Sequence, residues 1–257
     1  MEIMIPCTEC ALAAQVSGGE FGPDGILIQS RILPVQENNP YRAVCPEGHQ
    51  LVVILDNFQF QLLFESGLEA FVDGYFRESV SSFAAALERL YEFSIRVQLT
   101  SENVDIDEME MMWKSVAAQS ERQLGMYIGM RTLKEGKRPP TLPTRLTTFR
   151  NSVIHKGNFP DSNQAFEFGE AVFGLILDEV IRLDEHYKNA VIAQTHAHRK
   201  KALQSLKQED KPYFLFFGFA VANRGDRSFS EVVAQAQESK RRRLTGDAPP
   251  APNTSQQ

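Results

Sequence analysis

Thr148-Phe149-Arg150-Asn151-Ser152-Val153-Ile154-His155-Lys156-Gly157 sets a permanent cation, a carboxamide and an imidazole within two helical turns, and then meets a glycine. Phe149, Val153 and Ile154 give the segment an apolar anchor, and Gly157 is a natural helix stop. On a helix Asn151 and His155 are i, i+4 neighbours, with Arg150 on the adjoining flank. This set of groups suits phosphate chemistry. A guanidinium grips a phosphodiester through two parallel hydrogen bonds. An imidazole moves protons near neutral pH without a metal. The amide holds a hydroxyl or fixes the imidazole tautomer. The same spacing also arises on ordinary helices, where the Arg is solvated and the His caps a carbonyl.

The stretch resembles the Arg-x4–6-His signature of the HEPN superfamily, in which Asn commonly follows the Arg and a glycine-containing turn often follows the His. The likeness extends loosely over residues 60 to 190, where Gly74-Tyr75-Phe76-Arg77-Glu78-Ser79-Val80 leads into a long helix. It implies a helical bundle that works as a homodimer. Arg150, Asn151 and His155 would then line the active cleft beside a second set from the partner copy. It also implies metal-independent endoribonuclease activity of the toxin or antiphage-defence kind, with RNA as substrate and an antitoxin or regulatory protein as a further partner.

Composition frames that expectation. The chain has 257 residues, 42% of them hydrophobic, which suffices for one substantial core and a smaller module. A net charge of −6 argues against generic binding along long nucleic acid, so any RNA contact is expected to be local. Lys134-Glu135-Gly136-Lys137-Arg138 and Lys240-Arg241-Arg242-Arg243 are the basic clusters available. No stretch reaches the ~20 apolar residues that cross a bilayer. Met1 to Pro6 lacks the pattern of a signal peptide, which makes the cytoplasm the expected location.

All three cysteines lie within the first 45 residues. Cys7-Thr8-Glu9-Cys10 is a C-x2-C knuckle, and Cys45-Pro46-Glu47-Gly48-His49 is a second one in which His replaces the last thiol. Together they supply Cys7, Cys10, Cys45 and His49, a closed tetrahedral set typical of structural Zn2+. Between the knuckles, Ile26 to Arg31 alternate as a strand does, with Gly18-Gly19 and Asn38-Asn39-Pro40 as turns, and Leu51 to Leu55 follow as an apolar strand.

From Phe58 onward the period is helical. Phe60, Leu63, Phe64, Gly67, Leu68 and Phe71 recur at three and four. After Asp73-Gly74, so do Phe76, Val80, Phe83, Leu87, Leu90 and Tyr91. Glu88, Arg89 and Glu92 border that second stripe, and Glu88 is the candidate to orient His155. Residues 105 to 131 read as one helix, Thr144 to Gly157 as the motif helix, and Ser162 to Tyr187 as another that continues toward Glu209. Tyr213 to Val221 is apolar on both faces, as in a strand buried on both sides that pairs with the ribbon or another subunit. Ser228-Phe229-Ser230-Glu231 has the form of a capping box.

The expected architecture is therefore mainly α, a HEPN-like helical bundle with a small N-terminal β zinc ribbon. Its divisions are a ribbon over 1–57, the bundle over 58–209, a strand and helix extension over 210–244, and a disordered tail over 245–257. The expected activity is RNA cleavage by 2′-OH attack with Arg150 and His155. The alternative is a non-catalytic dimerisation, interaction or nucleotide-binding module carrying the same zinc.

Overall fold

A stretch of apolar residues without a charge, Leu51 to Leu55, forms the most deeply buried strand of the N-terminal region. The computed structural model describes residues 1–16, 30–36, 40–222 and 227–245. Within these the chain is mainly helical, with a small N-terminal β region. It divides into two compact units, one of residues 1–56, 199–216 and 234 onward, the other of residues 57–198 and 217–233.

In the first unit β1 (Glu2–Pro6) pairs antiparallel with β2 (Ser30–Pro34), and helix α1 (Thr8–Val16) starts directly after Cys7. Strands β3 (Tyr41–Val44) and β4 (Gln50–Leu55) make an antiparallel hairpin around the second knuckle. The first knuckle thus lies at a strand-to-helix junction. The expected strand over Ile26 to Gln29 and the turns at Gly18-Gly19 and Asn38-Asn39 lie outside the described residues, as does the tail beyond Thr245.

The apolar stretch from Tyr213 departs from expectation. Only β5 (Tyr213–Leu215) is a strand, parallel to β4, and Phe214 and Phe216 are exposed. The ladder ends early for a local reason in the second unit. The Asn57 side chain takes the next residues' place in pairing, donating to the Phe217 carbonyl at 2.9 Å and accepting from its N–H at 2.8 Å. A three-residue strand with one neighbour has an open face, which the Arg199 guanidinium partly covers, 4.9 Å above the Phe214 ring.

The second unit is built on α3 (Phe76–Ser101), which packs against α2 (Gln59–Val72), α5 (Ser120–Glu135) and α6 (Thr144–Lys156). Its core is aromatic. Phe64, Phe83, Phe173 and Phe229 form a continuous cluster with centroids 4.9 to 6.3 Å apart. Gly67 and Gly169 let the rings close up: a Cβ on either would stand 2.7 Å from a phenyl carbon. The segment expected as one helix over 105–131 is two, α4 (Ile106–Val116) and α5. Gln119 is extended between them, and the Gln123 side chain satisfies the Ala117 carbonyl at 2.8 Å. Asp105 caps α4 by accepting from Asp107 N–H at 2.9 Å. Helix α7 (Ser162–Leu203) runs past Tyr187, where the backbone leaves helical angles. Helix α8 (Phe229–Thr245) starts at a reciprocal Ser228 and Glu231 box.

Candidate functional site

Two places carry chemistry. The first is the meeting of the knuckles. Cys10 Sγ lies 3.2 Å from His49 Nδ1 and 3.9 Å from Cys45 Sγ, while His49 Nδ1 is 3.6 Å from Cys7 Sγ and 3.5 Å from Cys45 Sγ. All four ligand atoms fall within 4.8 Å of one another. A tetrahedral zinc with Zn–S about 2.3 Å and Zn–N about 2.0 Å needs neighbouring ligand atoms roughly 3.5 to 3.8 Å apart. The residues fit a metal such as zinc, and the sulfurs are too far apart for a disulfide.

The backbone builds this geometry. Gly48 adopts φ +88, and its N–H donates to the Cys45 carbonyl at 2.9 Å, while Cys45 N–H donates to His49 O at 3.0 Å. At the first knuckle the Cys10 N–H points to Cys7 Sγ at 3.5 Å, as in a helix cap. Burial and the neighbouring thiols Cys7 and Cys45 push the Cys10 thiol up to about 12. On Cys45 burial is outweighed by the backbone N–H groups of His49 and Glu47, and its thiol falls to about 7. Three thiols and an imidazole brought this close are a donor set that a cation would reconcile. The far ring nitrogen of His49 lies 3.7 Å from the Glu9 carboxylate, which favours the tautomer with Nδ1 turned to the thiols. Sequence reasoning passed over Glu9, although its place inside the first knuckle marks it.

The second place is α6. It begins after Pro143, buries Leu146 and Val153, and ends at Gly157 with φ +73. Arg150 is half-buried. It forms an ion pair with Glu88 of α3, and its Nη1 donates to Asn151 Oδ1 at 2.9 Å. Glu88 therefore meets Arg150, not His155 as expected, because α3 and α6 bring their polar edges together there. The His155 side chain is exposed and has no hydrogen-bond partner among the described residues. Five residues of helix turn it roughly 140° from Arg150, so one chain brings Arg150, Asn151 and Glu88 together and leaves His155 apart.

No family model, curated protein or solved structure matches the chain.

Behind α6 an open cleft of about 430 Å3 lies between Phe149 and Val153 on the helix and Phe159 and Pro160 beyond it. Deeper in the unit is a polar network that sequence reasoning missed. Glu179, only 2% exposed, accepts from Ser94, Tyr127, Arg131 and Arg182, and Glu135 joins the two arginines at 2.7 and 2.9 Å. The spacings Arg131 to Glu135 and Glu179 to Arg182 are i, i+4 and i, i+3 pairs, the one signal available in the sequence. Burial and the charge of Glu179 raise the Tyr91 and Tyr127 hydroxyls above the usual phenol range, so both stay protonated.

No described helix is long and apolar enough to cross a membrane.

Proposed function

We propose that this chain is a HEPN-type endoribonuclease whose active cleft is assembled from two copies, with a structural zinc at Cys7, Cys10, Cys45 and His49. The observation that carries the reading is the state of Arg150: a guanidinium held by Glu88 and Asn151 on α6, one and a half turns from an exposed histidine. Two of its N–H groups are used in that hold, and the others remain to meet a phosphate.

In this reading Arg150 binds the scissile phosphodiester and stabilises charge developing on its oxygens. The RNA 2′ oxygen attacks phosphorus and the bond to the 5′ oxygen breaks, giving a 2′,3′-cyclic phosphate and a 5′-OH. His155 takes the 2′-OH proton, and its protonated counterpart from the second copy delivers one to the leaving oxygen. The zinc supplies rigidity and takes no part in the reaction. The separation of the two side chains on α6 supports a cleft shared by two copies, in which each helix supplies the group that the other turns away.

A second reading is favoured by the ion pair itself. Glu88 offsets the charge of Arg150, which suits a bundle that dimerises without cutting.

The test is incubation of purified protein with total RNA in EDTA, alongside Arg150→Ala and His155→Ala, with the new ends mapped. Cleavage to 5′-OH ends that falls at least a hundredfold in both variants supports the nuclease. Intact RNA with a dimeric protein supports the second reading. Cleavage that persists unchanged in both variants overturns the assignment.

A further inference from the structure

We propose that the cleft behind the C-terminal end of α6 is a nucleobase subsite, in which an unpaired RNA base stacks on Phe159 while its edge is met by Asn158 and Gln164. The inference deepens the ribonuclease reading by naming single-stranded RNA as the substrate class. It depends on RNA binding and not on cleavage.

The loop is held at both ends. At Gly157 the chain turns with positive φ, and the Asn158 N–H closes onto the Ser152 carbonyl at 3.2 Å. Four residues on, Asp161 and Gln164 exchange bonds, Asp161 N–H to Gln164 Oε1 at 3.0 Å and Gln164 N–H to Asp161 Oδ1 at 2.9 Å. Between those two caps Phe159 stands 85% exposed. A scattered exposed apolar residue is ordinary. This one stands at the rim of a cleft, on a short segment whose backbone is held on both sides.

The lining is suited to a base. Phe149 and Val153 give an apolar wall and Phe159 a π face, and stacking on such a face is how unpaired bases are bound. Polar groups sit among them. The Asn158 amide has no partner among the described residues, and Gln164 spends its oxygen on Asp161 while its NH2 has no partner there. A carboxamide reads both donors and acceptors on a base edge. The volume of about 430 Å3 lies in the range of small-ligand sites.

Charge points the same way. Lys156 and His155 are exposed on the turn that leads into the cleft, and Ser152 of the lining is the i−3 neighbour of His155. A base held here would bring its own phosphate toward that imidazole and ammonium. The Asp161 carboxylate, the acid of this loop, is occupied with the Gln164 N–H.

The experiment measures binding of short single-stranded RNA to the full chain in a His155→Ala background, by fluorescence anisotropy, so that cleavage does not enter. Phe159→Ala is expected to weaken binding roughly tenfold, and Phe159→Trp to restore it. An oligomer with abasic positions should bind the parent protein as weakly as the intact oligomer binds Phe159→Ala. Photocrosslinking of a 5-iodouridine oligomer should mark Phe159. Equal affinity of parent and Phe159→Ala, or of intact and abasic RNA, overturns the subsite. Loss of the dimer in Phe159→Ala with RNA affinity unchanged overturns it too and assigns the ring to a subunit interface. Base-dependent binding by a protein that never cuts RNA would sustain the subsite and sink the nuclease.

Discussion

Arg150 of α6 donates to the carboxylate of Glu88 of α3, although 62 residues separate them. The pair is partly shielded, with side chains 16% and 28% exposed. Such a contact contributes about 1 kcal/mol, less than a fully buried pair and more than an open surface one. Its larger consequence is directional: the guanidinium of α6 is held against α3.

Glu88→Gln separates the two roles. Under the proposed ribonuclease reading, it removes a negative charge from where a phosphate would approach and loosens the aim of Arg150. RNA affinity is expected to rise two- to threefold, on the order of the screened charge term, while cleavage at saturating RNA slows by about tenfold. Stability should fall by about 1 kcal/mol, or 2 to 4 °C in Tm. Titration and single-turnover kinetics on the same preparation decide it. Affinity and rate that both stay at parental values would remove Glu88 from the site.

Much of this was legible in the sequence, and what escaped follows a pattern. The two knuckles, the motif helix ending at Gly157, and the Ser228 to Glu231 cap are local signals, set by residues within a few positions of one another. The helix from Ser162 to Tyr187 was foreseeable from its period, whereas the break at Tyr187 and the stop at Leu203, short of Glu209, were not. Contacts between distant segments were not. Periodicity says which face Glu88 occupies but not that Arg150 lies across from it. The fate of Tyr213 to Val221 turned on Asn57, a residue 160 positions upstream of Phe217. The split between α4 and α5 rests on Gln123 reaching back to Ala117, which looks like any polar residue in a helical stretch.

The zinc claim has its own measurement. Protein purified without added metal should carry one Zn per chain by elemental analysis. Cys7→Ser should lose it and expose the hairpin of β3 and β4, with amide exchange over residues 41–55 rising by orders of magnitude. Glu9→Ala should keep the metal but bind it more weakly, by about tenfold in a chelator competition, since Glu9 faces His49 without ligating. A metal-free preparation whose hairpin exchanges as slowly as the loaded protein would end this reading.

The buried network makes a stability prediction for the helical unit. Glu179 faces two arginines that are 7% and 8% exposed. Glu179→Gln keeps much of the shape and removes the charge, which leaves Glu135 alone against both cations. The expected cost is about 3 kcal/mol, the low end for breaking a buried pair. Urea unfolding followed through Trp113, the chain's single tryptophan, reads it directly. A loss below about 1 kcal/mol would mean that the arginines find water or another partner at little cost.

In the first unit Arg42 forms two hydrogen bonds to Asp210, at 2.5 and 2.6 Å, and the Lys207 N–H adds a third at 2.6 Å. Arg42, with the Lys207 N–H, holds the Asp210 carboxyl down at about 2, against an ordinary 3.8. A carboxyl whose folded value lies below its unfolded one stabilises the fold above the unfolded value, and that contribution is lost as pH falls through the folded one. Amide protection over residues 41–55 should therefore decline between about pH 4 and pH 2. Asp210→Asn should be less protected at pH 6 and show a flatter decline across that window, because it has no carboxyl left to protonate. Superimposable acid profiles for the two proteins would show that the Arg42 contact contributes nothing to holding residues 199–216 against the N-terminal strands.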